Sequence, residues 1–120
     1  MASAGNRKRR RHTNQRRKLR WAQRSICAGC GEHLPGASKV GRRHPDNATF
    51  DHVLPRSRGG THALTNGLLK HYRCNQARGD APPTGCDLIW HDYVGVRLEH
   101  LAEKERLVAS PGAANAKNSG

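Results

Sequence analysis

The chain has 120 residues, of which 34% are hydrophobic and 4% aromatic, and its formal net charge is +13. This length allows one small domain with few core side chains, so we expect a metal, a disulfide or a partner to stabilise it. No apolar run reaches the roughly 18 residues of a membrane span, and no apolar stretch follows the basic N-terminus as in a secretory signal. We therefore expect a cytoplasmic protein, in which closely spaced cysteines are more often metal or redox groups than disulfides.

The positive charge is concentrated at the N-terminus. Residues 1–24 carry ten basic and no acidic side chains, whereas the remainder carries twelve basic and nine acidic ones. Like charges repel, so we predict a disordered arm, with a helix allowed between Gln15 and Ser25, that binds a polyanion such as nucleic acid. The arginines expected to contact phosphate are Arg9, Arg10, Arg11, Arg16 and Arg17.

Two pairs of metal-ligating residues lie forty residues apart. Cys27-x-x-Cys30 is matched downstream by His71-x-x-Cys74. Four such ligands suit a tetrahedral structural Zn²⁺ that joins the two segments. A redox Cys-x-x-Cys with an unrelated Cys74, and an active-site role for His71, are the alternatives. Cys86 has no partner at this spacing and is expected to be a small buried residue.

Turn residues and apolar patterns predict the elements that follow. The predictions are a strand at Ala48–Leu54, a loop at Arg56–Thr65, a short strand at 67–70, a helix at Tyr72–Arg78 and a helix at 86–107. The last helix has one apolar stripe, formed by Trp90, Val94, Leu98 and Leu101.

The first strand contains adjacent groups suited to phosphodiester cleavage. Asp51 and the side-chain carbonyl of Asn75 are oxygen ligands of the kind that hard cations prefer, and His52 can accept a proton near neutral pH. Adjacent strand residues point to opposite faces, so Asp51 and His52 can serve one site only if the strand twists or bulges. Arg56, Arg58 and Arg78 are candidates for contact with phosphate.

Four segments between residues 25 and 80 resemble the HNH endonuclease family, in its zinc-knuckle subgroup of phages and bacteria. These segments are Cys27-x-x-Cys30, Asp51-His52-Val53-Leu54-Pro55-Arg56-Ser57-Arg58-Gly59-Gly60-Thr61, Leu64-Thr65-Asn66-Gly67-Leu68-Leu69 and Cys74-Asn75-x-x-Arg78-Gly79-Asp80. The resemblance implies a small α+β protein with a ββα-metal fold, a structural zinc and flanking helices. It also implies that Asp51 and Asn75 bind a catalytic Mg²⁺ or Mn²⁺, that His52 is the general base, and that Asn66 braces the loop that aims His52.

The predicted organisation has four parts: a basic arm (1–24), a nuclease core (25–80), a helical extension (81–108) and a disordered tail (109–120). The predicted function is metal-dependent cleavage of DNA, by nicking or double-strand scission. The alternative is a non-catalytic, zinc-stabilised nucleic-acid-binding or accessory subunit. The resemblance leaves open a homodimer and a phage DNA-packaging terminase as partners, in the cytosol of a bacterium or an infected host.

Overall fold

A two-stranded antiparallel hairpin forms the centre of the fold, with three helices packed around it. The structure, a computed structural model, describes residues 4–36 and 39–109, with side chains from Arg10 onward. The elements are α1 (Ala4–Ala22), β1 (Ala48–His52), β2 (Gly67–His71), α2 (Tyr72–Arg78) and α3 (Gly85–Ala109). The predicted small α+β class and the ββα order of hairpin and helix are both confirmed.

The hairpin has a regular register from one end to the other. Ala48 is opposite His71, and His52 is opposite Gly67. The strand prediction ran two residues too far, because after His52 the chain turns to pair with the loop: the Val53 amide donates to the Asn66 carbonyl (2.8 Å). Two single 3₁₀ turns, Arg56–Arg58 and Leu64–Asn66, occupy the predicted loop.

The basic arm is helical in the described residues, and the prediction that it is disordered is wrong there. Helix α1 spans Ala4–Ala22. Leu19 and Ala22 are completely buried in the core, so packing of these apolar residues stabilises a helix whose charges alone would oppose it. Arg16 and Arg17 remain exposed.

Gln23, just after α1, attaches the helix to the open edge of β2. Its side-chain amide donates to the Leu69 carbonyl (2.8 Å) and accepts from the Leu69 amide (2.7 Å). The Ala28 amide donates to the same carbonyl (3.1 Å). These contacts satisfy backbone groups that an uncovered strand edge would expose.

Helix α3 confirms the predicted stripe and begins at a reciprocal cap. Thr84 Oγ1 accepts from the Asp87 amide (3.1 Å), and Asp87 Oδ2 accepts from the Thr84 amide (2.8 Å), which is a capping box. Val94 is buried in the core, with Trp90 and Leu98 packed beside it. The predicted disordered tail lies outside the described residues except for Ala109, which ends α3.

Across residues 4–36 and 39–109, neither long helix offers the continuous apolar segment that crossing a bilayer requires.

Candidate active site and metal centre

The two predicted ligand pairs converge on one point. The ligand atoms of Cys27, Cys30, His71 and Cys74 all lie within 4.8 Å of one another. The first two come from the turn after α1, and the others flank the junction of β2 and α2. Three thiols and an imidazole at this separation fit a tetrahedral zinc ion, with Zn–S bonds of about 2.3 Å. The cluster is therefore a site that could hold structural zinc.

Hydrogen bonds orient two of these ligands. Cys27 Sγ accepts from the backbone amides of Gly29 (3.2 Å) and His71 (3.3 Å), which fix the position of the sulfur. The His71 Nε2 atom lies 2.9 Å from the His33 carbonyl, so it carries the proton. The Nδ1 atom, 3.3 Å from Cys30 Sγ, is then the one available to a metal. The structure thus places His71 in the cysteine cluster.

Even without a metal, the surroundings of the cluster favour the thiolate form of Cys30. Burial raises the pKa of Cys30, but hydrogen bonds from the Glu32 backbone and the neighbouring ligands outweigh it and lower the pKa to about 7. Burial and the nearby Cys27 raise the pKa of Cys74 to about 12. The Arg73 guanidinium lies 3.9 Å from Cys30 Sγ and 3.8 Å from Cys74 Sγ, where its charge offsets that of the thiolates. Cys86, expected to be buried, is exposed.

Asp51 and His52 lie on opposite faces of β1, as strand geometry requires. The register through both residues is regular, so no bulge brings their side chains together. Asp51 is 3% exposed and faces the side of the hairpin where α2 and α3 contribute Arg78 and Asp87. The His52 ring faces the other side.

Asp51 belongs to a buried group of four charges. Its Oδ2 atom lies 2.8 Å from Lys70 Nζ and 2.8 Å from Arg78 Nη1. Asp87 contacts the same two cations, at 2.7 Å and 3.6 Å. Buried charges are tolerated when they are paired, so this balanced group fixes α2 and α3 against the hairpin. Both ion pairs of Asp51 use Oδ2, which leaves Oδ1 as the atom that could bind a metal.

His52 has a close neighbour in the loop between β1 and β2. Its Nε2 atom lies 2.8 Å from His62 Nδ1. Burial lowers the pKa of His52; the Asp51 charge opposes this shift, whereas the Arg56 charge adds to it. The net shift is downward, so the imidazole is neutral at pH 7 and can accept a proton.

His62 is itself held from two sides. Gln15 of α1 donates its side-chain amide to the His62 carbonyl (3.1 Å). The His12 ring packs against the His62 ring at 4.7 Å, and the Phe50 ring packs at 4.9 Å. Helix α1 therefore contacts the residue that contacts His52.

Asn66 occupies a bracing position in the loop. Its Oδ1 accepts from the Leu54 amide (2.9 Å), and its Nδ2 donates to the carbonyls of Leu54 (3.0 Å) and Thr61 (2.8 Å). Gly60 packs against the same turn, where a Cβ atom would stand 1.7 Å from the Leu54 carbonyl oxygen. These contacts set the path of the chain directly after His52.

Asn75, in α2, reaches back to β1. Its Nδ2 atom donates to Thr49 Oγ1 (3.0 Å) and to the Phe50 carbonyl (3.3 Å). This arrangement orients the amide so that its oxygen is the atom left for a cation. The Asn75 side chain thus contacts the two residues of β1 that precede Asp51.

The predicted phosphate-binding arginines separate into buried and exposed groups. Arg78 is 5% exposed and donates to Asp51 and to the His52 carbonyl, so the prediction that it contacts phosphate is corrected: it is an internal brace. Arg58 donates to the Asp80 carbonyl (3.0 Å), and Arg56 is exposed beside His52. Arg10, Arg11, Arg16 and Arg17 are exposed on α1, and the Arg9 side chain lies outside the described residues.

Sequence reasoning missed Lys70, Asp87 and His62. Two signals were available: Lys70 interrupts the apolar pair of a short strand, and Asp87 follows Thr84 at capping-box spacing. His62 carried no comparable signal, because its contact with His52 depends on how the loop folds back.

A β-hairpin followed by a helix, with a Cys₃His cluster beside it that could hold zinc, defines a small α+β protein with a ββα fold. Residues 27–81, a little under half of the chain, match the family model described as HNH endonuclease. Searches of curated proteins and of solved structures returned no match to this chain.

Proposed function

We propose that the chain hydrolyses phosphodiester bonds of DNA, with the HNH domain as the catalytic unit and His52 as the general base. The observation that carries this proposal is the position of His52 at the end of β1, with its Nε2 atom 2.8 Å from His62 Nδ1. When His52 Nε2 carries the proton and donates to His62, Nδ1 of His52 is the nitrogen that can take a proton. His52 accepts that proton from a water molecule, whose oxygen attacks phosphorus as the bond to the leaving oxygen breaks.

Two oxygen atoms could hold the divalent ion that the family implies. These are Oδ1 of Asp51, whose other oxygen is anchored by Lys70 and Arg78, and the side-chain oxygen of Asn75. Both lie on the face of β1 opposite the His52 ring, so a substrate phosphate would have to sit at the end of the strand to meet the ion and His52 together. One carboxylate and one amide, completed by water and substrate phosphate, fit Mg²⁺ or Mn²⁺. When bound, such an ion supplies Lewis-acid stabilisation of charge on the phosphate.

The charge balance around Asp51 supports a further part of the proposal. Two carboxylates already face two cations, so the protein offers no net negative charge to a divalent ion. The phosphate supplies the missing charge. We therefore expect metal affinity to be weak without DNA and higher with it.

The test is nicking of supercoiled plasmid by the full chain in Mg²⁺, Mn²⁺ or a chelator. His52→Ala should reduce the rate by about 10² to 10⁴, which is the usual contribution of a general base. His100→Ala is the matched control, because His100 is an exposed histidine of α3 outside the site. Zinc content and circular dichroism establish that both variants are folded.

The outcomes separate the proposal from its rival. Metal-dependent nicking that His52→Ala loses and His100→Ala keeps would support the nuclease. Folded protein that binds DNA but nicks it with neither metal would identify a non-catalytic DNA-binding subunit instead.

A further inference from the structure

Four arginines line a cleft between α1 and the loop at residues 39–47. Arg16, Arg17 and Arg20 come from the helix, and Arg42 comes from the loop. The floor is formed by Ala48 of β1 and Leu69 of β2. We call this feature the arginine cleft.

Helix geometry places the three α1 arginines together. Arg16 and Arg17 lie four and three positions before Arg20, so the three side chains fall within about 100° around the helix axis. Leu19 lies about 100° around the helix from Arg20, and its burial in the core fixes the rotation of the helix. Arg20 donates to the Leu34 carbonyl (3.4 Å), which orients its guanidinium at the end of the cleft.

The loop side of the cleft is also held in place. The Asn47 side chain donates to the Arg42 carbonyl (2.9 Å), which closes the turn between them. The Asn47 carbonyl accepts from the Tyr72 amide (2.7 Å), which ties the loop to the start of α2. Arg42 therefore projects from a fixed backbone.

The cleft gathers positive charge without a counter-charge. Among the described residues that line it there is no carboxylate, and Asp46 of the same loop pairs with Arg73 instead. A surface lined by charges of one sign attracts anions. Guanidinium groups match phosphate geometry, so the complementary ligand is a phosphate backbone.

The cleft lies on the same face of the hairpin as the proposed base. Ala48, on its floor, and His52 are four residues apart on β1 and therefore point the same way. At about 3.3 Å per residue, the cleft is displaced by roughly 13 Å from His52. Along duplex DNA this is about four nucleotides, at about 3.4 Å per nucleotide of one strand.

We infer that the arginine cleft binds the DNA backbone about four nucleotides to one side of the bond that is cut, and so sets the minimum length of substrate on that side. This inference rests on the proposed function in one respect, namely that the cut strand reaches His52. It assigns Arg20 and Arg42 to the DNA interface, and gives Arg16 and Arg17 a defined place within it.

The first experiment measures the salt dependence of binding to a 30-base-pair duplex by fluorescence anisotropy, with chelator present so that no cleavage occurs. The slope of log affinity against log salt should fall in magnitude by about 0.9 for Arg42→Ala and about twice that for the Arg16→Ala/Arg17→Ala pair. Arg42→Lys should keep the slope. Lys104→Ala removes one exposed charge of α3 outside the cleft and should also leave it unchanged.

The second experiment varies DNA length on either side of a fixed nick site, identified with wild-type protein. Arg42→Ala should weaken binding of duplexes that extend more than about four nucleotides on one side, and should have no effect on shorter ones. Three results would each overturn the inference. The first is an equal salt slope for Arg42→Ala and Lys104→Ala, and the second is an equal loss of affinity in Arg42→Ala at all DNA lengths. The third is an absence of DNA binding by the wild type. The same binding assay with RNA duplexes tests whether the cleft binds RNA instead of DNA, and tighter binding of RNA would contradict the inference.

These readouts are independent of the proposed chemistry. If nicking is absent but the slope changes as stated, the nuclease proposal fails and the cleft remains a backbone-binding surface. If nicking is present and the slopes are equal, the cleft assignment fails alone.

Discussion

At the scale of single residues, the site depends on side chains that hold other groups rather than on those that react. Asn66 satisfies three backbone groups of the loop after His52, and His62 engages one nitrogen of the His52 ring. Each contact limits where a proposed base can point. A displacement of about 1 Å at such a position costs up to about a hundredfold in rate.

Replacement of Asn66 should therefore affect both stability and activity. Asn66→Ala leaves the Leu54 amide and two carbonyls without their partner, so we expect a loss of about 1–3 kcal/mol in the free energy of unfolding. Nicking should fall roughly tenfold to a hundredfold. Asn66→Asp keeps the acceptor for the Leu54 amide, so its stability and nicking rate should lie between those of Asn66→Ala and the wild type. Denaturant titration and plasmid nicking measure the two effects, and an unchanged nicking rate in Asn66→Ala would contradict the bracing role.

The pH dependence of nicking should report the lowered pKa of His52. The base is active when neutral, so kcat/KM should rise as pH increases through a midpoint below about 6.5 and then stay level. Arg56→Ala removes a charge that lowers this pKa, so the midpoint should move upward whatever happens to the absolute rate. A rate that continues to rise above pH 8 would show that another group is the base.

At the scale of elements, α3 is joined to the hairpin by charge as well as by apolar packing. Asp87 caps its own helix through Thr84 and contacts Lys70 of β2. Burial lowers the pKa of Lys70, but hydrogen bonds to Asp51 and Asp87 outweigh it and the net shift is upward. Asp87, in the first turn of α3, thus shares the positive charge of Lys70 with Asp51.

Removing the Asp87 charge should be costly. Asp87→Asn leaves a buried positive charge without its balance, which typically costs about 3–5 kcal/mol. Because its pKa is lowered in the folded state, chiefly by Lys70 acting against burial, Asp87 stabilises the protein above its ordinary pKa and loses this effect as pH falls through the lowered value. The variant should therefore show a weaker loss of stability on acidification.

Asp92→Asn, an exposed aspartate of the same helix, is the matched control and should change little. Thermal unfolding between pH 3 and pH 7 measures both effects. Equal melting temperatures for the two variants would contradict a structural role for the Lys70–Asp87 pair.

At the scale of the whole molecule, the Cys₃His cluster connects two parts of the chain that are distant in sequence. It joins the turn after α1 to the junction of β2 and α2, which carries Asn75. Structural zinc sites contribute about 10–16 kcal/mol of apparent binding free energy in small domains. Because the core has so few large side chains, we expect a zinc ion bound here to supply much of the stability.

Loss of one ligand should therefore abolish zinc binding and unfold the domain. Cys30→Ser should remove the one zinc per chain that we expect and lower the melting temperature by more than about 10 °C. Cys86→Ser changes an exposed cysteine outside the cluster and should have no effect on either. Zinc release to a colorimetric chelator and circular dichroism melting measure the two quantities. Full stability of Cys30→Ser, or of wild-type protein without zinc, would exclude a structural metal.

The sequence by itself determined the features that depend on residues close together in the chain. Turn residues and periodicity predicted α2 and most of α3, and paired spacing predicted the four ligands of the cluster. Alternation along β1 also predicted that Asp51 and His52 point apart. Each of these follows from local geometry, which neighbouring residues specify.

Only the tertiary structure decided how those parts contact one another. Gln23 joins α1 to Leu69 across 46 positions, and Lys70 meets Asp87 across 17. The charge of the basic arm favours disorder when residues 1–24 are considered alone, yet Leu19 and Ala22 are buried once the hairpin offers them a surface. Such pairings depend on the packing of the whole chain. The burial of apolar side chains supplies the free energy that outweighs the local charge repulsion.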